Sequence, residues 1–326
     1  MGVMIDGKWT QQDLVRNDSS GRFVRRDSIF RNWITSNGAP GPSGEPGFKA
    51  EKGRYHLYVS YSCPWAHRTL IFRALKGLEG MIDVSATHWR MLENGWTFEQ
   101  GEGVAPDPVF HARAMHEVYA GAEKNYTGRV TVPVLFDKQS GKIVNNESSE
   151  IIRMFNSAFD GLGARAGDFY PLELRDEIDA LNKRIYETVN NGVYRCGFAT
   201  SQQAYDEAVT QLFDTLDFLE ERLSRQRYLC GARATEADWR LYPTLARFDL
   251  VYVGHFKCNV RRIADYPNLS NYLRDLYQWP GIAATTNLTH IKRHYYESQR
   301  QVNPTGIVPK GPHVDLTLPH DRARFG

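Results

Sequence analysis

The stretch Arg54-Tyr55-His56-Leu57-Tyr58-Val59-Ser60-Tyr61-Ser62-Cys63-Pro64-Trp65-Ala66-His67-Arg68 changes character half-way along. Its first half, aromatic and β-branched, reads as a strand over Tyr55–Ser60. Pro64 suits the first position of a helix, where a missing N–H costs nothing. Leu70, Ile71, Ala74, Leu75 and Leu78 then recur at helical spacing, with Gly77 and Gly80 closing the run. A helix that starts at Pro64 puts Cys63 at its N-cap, before unpaired backbone N–H groups and the positive end of the helix dipole. Both stabilise a thiolate and lower its pKa. An isolated free cysteine usually packs as a small apolar residue. One directly before a proline at a strand-to-helix turn reads instead as a nucleophile.

The pattern continues outward from this turn. Met81–Thr87 reads as a second strand, Thr131–Asp137 as a third containing Pro133, and Ile143–Val144 as a fourth beyond Gly141. Proline is tolerated in a strand at an edge, a bulge or a cis turn. Helical spacing resumes over Ser148–Phe155. The order β-α-β, then β-β-α, is that of a thioredoxin-like domain. Between its halves, Trp89–Arg129 forms a long insertion with a helix around Ala112–Ala120.

After Pro171 the periodicity is helical almost throughout, as in Leu174, Ile178, Leu181 and Ile185, or Leu212, Leu216, Leu219 and Leu223. Thr235-Glu236-Ala237-Asp238 has the form of a capping box. The first fifty residues read as an irregular extension. Glycine falls at every third position from Gly38 to Gly47, too short a run for a triple helix and suited to an extended loop. Phe23–Ile34 is either a turn of helix or an extended strip. The expected organisation is therefore an extension over 1–50, an α/β domain over 51–160, and an all-α domain with a tail over 171–326.

Composition narrows the function classes. The 326 residues carry a formal charge of +2, which gives no basic footprint for nucleic acid. No apolar run approaches the roughly 18 residues that cross a bilayer. The start, Met1–Asp6, has neither the cationic nor the apolar region of a signal peptide. Cys63, Cys196, Cys230 and Cys258 are too scattered for a disulfide framework, so a reducing cytoplasm is expected. Metal-ligand spacings are absent, and no metal is expected. Aromatic residues make up 12% of the chain, which suits a pocket for a flat, partly polar ligand.

In a C-x-x-C oxidoreductase the second thiol resolves the mixed disulfide, but that position here is Ala66. An external thiol must then release a Cys63 disulfide, and glutathione is the abundant candidate. Its γ-glutamyl end needs a helix N-terminus with an acidic neighbour. Asn146-Glu147-Ser148 offers both: Ser148 as cap and carboxylate donor, Glu147 for the ammonium. Its cysteinyl backbone needs an exposed peptide, which a cis Pro133 would present at Val132. Alone, Glu147-Ser148 is an ordinary capped helix; the combination with Cys63 raises it. His67 and His88 read as polar surface or capping groups, and Arg68, Arg73 and Lys76 as the solvated face of the first helix.

The blocks around CPWAHR, MLENGWTF (Met91–Phe98), RVTVPVL (Arg129–Leu135), NESSEIIRMF (Asn146–Phe155), NNGVY (Asn190–Tyr194) and YVGHFKC (Tyr252–Cys258) resemble the glutathionyl-hydroquinone reductases, the Xi class of glutathione transferases. The resemblance spans nearly the whole chain. It implies the glutathione transferase fold, a thioredoxin-like N-terminal domain plus an all-α C-terminal domain, and a homodimer. It also implies glutathione-dependent reduction of glutathionyl-hydroquinones, with glutathione as co-substrate. Carried onto this sequence, Cys63 is the nucleophile and Tyr194 a proton donor or acceptor. Trp96, Arg129, Val130, Thr131, Val132, Glu147 and Ser148 hold glutathione. Tyr252 and Tyr295 line the aromatic pocket and lower the Cys63 pKa, with Tyr296 the neighbouring choice of register. Two alternatives stay open: a glutathione-binding regulatory or interaction protein, and a broader thiol transferase acting on dehydroascorbate or disulfides.

Overall fold

The computed structural model describes residues 2–11 and 17–325. The chain divides into two compact units. One gathers Arg26–Gly167 and Thr285–His294 with the N-terminal strands; the other gathers Asp168–Ala284 and Tyr295–Gly326 with the segment leading to Arg25.

In the first unit, the strand Tyr55–Val59 pairs in parallel with Asp83–Ala86 and antiparallel with Val134–Asp137. Lys142–Asn145 pairs antiparallel on the far side of Val134–Asp137. The two inner strands are buried along their whole length. That explains their continuous apolar and aromatic sequence, since alternation appears only where one face meets water. The helices Pro64–Leu75 and Ser148–Ser157 pack against one another, and the second buries Ile151, Ile152, Met154 and Phe155.

The first helix has no broad solvated face. Arg68 and Lys76 are buried and Arg73 is half-buried, against expectation. Each cation has been drawn into structural work. Lys76 Nζ donates to the Gly167 carbonyl at 2.6 Å and pairs with Asp160 at 2.9 Å, while Arg73 Nε donates to the Ile82 carbonyl at 2.8 Å. Arg165 crosses the helix C-terminus and donates to the Ala74 carbonyl at 3.0 Å, satisfying a group the helix leaves open. His67 is likewise buried, with Nε2 2.9 Å from Thr285 Oγ1.

The first fifty residues are more regular than their composition suggests. Gly2–Ile5 and Lys8–Gln11 form a hairpin, and Gly2–Ile5 pairs again with Gly128–Arg129. The hairpin turns on Asp6 and Gly7, both with positive φ (48° and 74°), the conformation an Asp-Gly pair supplies. That dipeptide was the available signal. Trp33–Thr35 pairs in parallel with Gly47–Lys49, and Phe23–Ile34 is extended, with Arg31 bridging to Asn145.

The second unit is helical. Its main elements are Arg175–Ile185, Gln202–Leu223, Glu236–Arg247 and Pro267–Tyr277. The expected capping box is present. The buried Asp238 carboxylate accepts from the Thr235 N–H at 2.7 Å, and further from the Leu229 N–H (2.8 Å) and the Tyr272 hydroxyl (2.7 Å). Among the described residues, no helix is long and apolar enough to cross a membrane.

His56, buried on the central strand with Nε2 2.8 Å from Ser85 Oγ, has its pKa pushed down to about 4 by burial, against a partial pull from Asp107 and Asp83. The folded state therefore keeps it neutral while the unfolded chain protonates it near 6.5. Stability tied to this group is full above about 6.5 and is lost as the pH falls from there towards about 4, by up to about 3 kcal/mol. Urea unfolding at stepped pH should show this loss, and His56→Gln should flatten it. An unchanged slope in the variant would assign the acid sensitivity elsewhere.

Candidate active site

Cys63 occupies the N-cap of the helix Pro64–Leu75 (φ −77°, ψ 121°), with Pro64 at the first helical position. Its N–H donates to the Ser60 carbonyl at 3.1 Å and its carbonyl accepts from His67 at 2.9 Å, which fixes the turn. The thiol makes no capping bond. It points instead at the Val132 carbonyl, with Sγ 3.4 Å from the oxygen, and the residue is only 8% exposed. The Val132–Pro133 peptide is cis. Two segments separated by almost seventy residues thus bring a thiol and a peptide edge together.

The wall beyond Val132 is built from both sides. Gly128–Arg129 pairs with the N-terminal strand, Val3 opposite Arg129, and the Arg129 carbonyl accepts from the Tyr126 hydroxyl at 2.7 Å. Val130 and Val132 are buried. The Thr131 backbone is engaged at both ends by the Tyr119 hydroxyl, which donates to its carbonyl (3.0 Å) and accepts from its N–H (3.3 Å). The contribution of the N-terminal strand escaped the sequence reading. Trp96 lies on an extended segment that pairs with Arg113–Met115: Met115 donates to the Trp96 carbonyl at 2.8 Å, and Phe98 to Arg113 at 2.8 Å.

At the other candidate contact the cap differs from expectation. Glu147 is the N-cap and Ser148 the first helical residue, because the longer carboxylate reaches the Ser149 N–H at 3.0 Å. Glu147 also accepts from the hydroxyls of Ser149 (2.8 Å) and Ser28 (3.1 Å). Burial alone would raise its pKa. The Ser149 and Ser28 bonds and the charge of buried Arg68 outweigh that and hold it below the usual carboxylate range. Glu147 is therefore an anion at neutral pH, beside helix N–H groups that have no intrahelical acceptor.

Tyr194, Tyr252 and Tyr295 meet in the second unit. The Tyr295 hydroxyl lies 2.7 Å from that of Tyr194 and 2.9 Å from that of Tyr252, so it is the hub of a buried chain of three. Tyr296 is half-buried, and its ring lies against that of His255. Burial pushes Tyr252 and Tyr295 well above the usual tyrosine pKa, and the neighbouring phenols add to it while Arg247 opposes. Both are protonated at neutral pH, able to relay a proton but not to act as standing bases. Two π-helical turns prepare the arrangement: Tyr186–Asn190 precedes the short helix carrying Tyr194, and Phe248–Tyr252 contains Tyr252. The Arg25 guanidinium covers the Tyr194 ring at 4.9 Å and donates to Asn191 at 2.7 Å. Among the described residues, no group of three His, Cys, Asp or Glu side chains is arranged to hold a metal.

Comparison with known proteins decides the family. Residues 62–158 match the glutathione S-transferase N-terminal domain and residues 202–275 the C-terminal domain. The chain is 57% identical to glutathionyl-hydroquinone reductase YqjG of Escherichia coli over the full length of both, and 56% identical to PcpF of Sphingobium chlorophenolicum over 96% of each. The chain belongs to the Xi-class glutathione transferases, the glutathionyl-hydroquinone reductase family. Its fold agrees with that of other Xi-class members. The glutathione-bound structure of YqjG superposes with a TM-score of 0.91 at 55% identity, covering 99% of each chain. The Xi-class transferase from Natrialba magadii gives 0.92 at 46% identity, covering 99% of this chain and 98% of that one. The glutathione transferase fold expected from the sequence is therefore present in both domains.

The hub position of Tyr295 has a measurable consequence. Tyr295→Phe removes the hydroxyl bonded to both other phenols and should cost about 1–3 kcal/mol of unfolding free energy. Tyr296→Phe should stay within about 0.5 kcal/mol of the parent. Equal effects in denaturant titrations would contradict the hub assignment.

Proposed function

We propose that this Xi-class enzyme reduces glutathionyl-hydroquinones to hydroquinones through a disulfide between Cys63 and glutathione. The observation that carries the reading is a thiol at a helix N-cap with Ala66, not a second cysteine, one turn further on. Such a site can form a mixed disulfide but cannot resolve it internally. A conjugating transferase would need a Ser or Tyr hydroxyl to hold the thiolate of glutathione. A cysteine in that place favours removal of glutathione instead. The names of the relatives YqjG and PcpF support the same reaction.

In this reading the γ-glutamyl carboxylate of glutathione takes the N–H and hydroxyl of Ser148, and Glu147 takes its ammonium. The cysteinyl backbone pairs with Val132, between Trp96 and the segment Arg129–Val132. The Val132 carbonyl that now accepts from the Cys63 thiol would then accept from the cysteinyl N–H. The Cys63 thiolate attacks the sulfur of the glutathionyl adduct and the carbon–sulfur bond breaks. Tyr194 delivers a proton to the departing hydroquinone carbon, oriented by Tyr295 and Tyr252. A second glutathione, as thiolate, attacks the mixed disulfide, restores the Cys63 thiolate and leaves as glutathione disulfide. The enzyme works as a homodimer in the reducing cytoplasm. The family resemblance supports the dimer, and four free cysteines suit that compartment.

Steady-state kinetics should be ping-pong, because the enzyme is itself modified between two half-reactions. Cys63→Ala should lower turnover by roughly 10³-fold or more while the fold persists. Tyr194→Phe should lower kcat by about 10²-fold and leave the KM for glutathione within a few-fold. Ala66→Cys should expel the first glutathione internally and rest as a Cys63 disulfide with the introduced thiol. Substantial activity in Cys63→Ala would overturn the mechanism.

A further inference from the structure

The segment Thr285–His294 lies far along the chain yet belongs to the first unit, and two of its histidines seize the insertion that carries Trp96. His290 Nε2 lies 2.6 Å from the Glu102 carbonyl, and His294 Nδ1 lies 2.6 Å from the Trp89 carbonyl. A carbonyl oxygen only accepts, so each of these ring nitrogens carries the proton. His294 then stacks on Trp96, with ring centroids 4.9 Å apart and planes within 18° of parallel. Both side chains are buried, Trp96 7% and His294 5% exposed.

The Trp96 backbone is held by Met115, but that bond does not set the plane of the indole. The ring that lies against that plane is His294, and its own angle is locked by the Trp89 carbonyl. We infer that His294 is a positioning residue for glutathione: it holds the Trp96 indole in the orientation that meets the tripeptide. The residue touches the tripeptide through Trp96 and takes no part in bond breaking. The inference rests on Trp96 being a glutathione contact, as proposed above. A stack of this kind together with its anchoring hydrogen bond is worth about tenfold in affinity.

Glutathione binding to the full-length enzyme, by calorimetric titration, reads the effect directly, with kcat and KM measured beside it. His294→Ala should weaken glutathione binding about tenfold and raise its KM similarly, with kcat within about twofold. His294→Phe keeps a flat ring on Trp96 and should recover most of the affinity. His294→Asn keeps a donor towards Trp89 but no ring, and should not. In a Trp96→Ala background, His294→Ala should add nothing further, whereas a purely structural role would add its full effect. Recovery by Asn but not Phe, additivity in the double variant, or loss of kcat at constant KM would each overturn the inference. If Trp96→Ala alone binds glutathione normally, the failure lies instead in the Trp96 contact. Should His294→Ala not fold, the Phe and Asn pair decides the matter by itself.

Discussion

The register of one antiparallel strand pair governs the candidate site. Tyr58 lies opposite Val134 in the sheet, so the end of Tyr55–Val59 and the start of Val134–Asp137 are neighbours. Whatever follows the first strand must then face whatever precedes the second. The Ser60–Pro64 turn follows one, Val132–Pro133 precedes the other, and the Cys63 thiol meets the Val132 carbonyl at 3.4 Å. A one-residue slip would turn every side chain of the strand to the opposite face and part the two. Both strands are buried on each face, and that burial makes the register costly to change.

Charge in this protein is placed where backbone polarity is left open. Arg165 serves the C-terminal end of the first helix, Lys76 the Gly167 carbonyl, and Glu147 the N-terminal end of Ser148–Ser157. Buried Arg68 keeps company with Glu147, and its guanidinium covers the Trp65 ring at 4.7 Å. The same logic brings an anionic Glu147 to a helix N-terminus, a pairing that suits a zwitterionic amino-acid end. The tyrosine chain works differently. Its phenols hydrogen-bond to one another, and burial keeps Tyr252 and Tyr295 protonated.

Much of this was legible locally. The cysteine before proline, the four strands of the sheet and the Thr235–Asp238 cap each follow from neighbours a few residues apart. What failed was long-range or one-sided. Arg68 and Lys76 looked solvated because a helical period marks the apolar face but does not say whether a second face is also covered. Ser148 looked like the cap because hydroxyls usually are, and the longer Glu147 side chain reached the amide first. The Asp6-Gly7 turn was a readable hairpin signal inside a stretch read as an irregular extension. Tyr194, Tyr252 and Tyr295 lie too far apart in sequence for spacing to join them. Family resemblance named them, and only coordinates show Tyr295 between the other two.

The central claim is that Cys63 carries glutathione between the two halves of the reaction. Reduced enzyme mixed with one equivalent of a glutathionyl-hydroquinone, with no free glutathione, and quenched in acid tests it most directly. The account predicts one equivalent of hydroquinone released and one glutathione on the peptide containing Cys63, removed when glutathione is then added. Hydroquinone release with an unmodified Cys63 peptide, or no release until free glutathione is present, would contradict it.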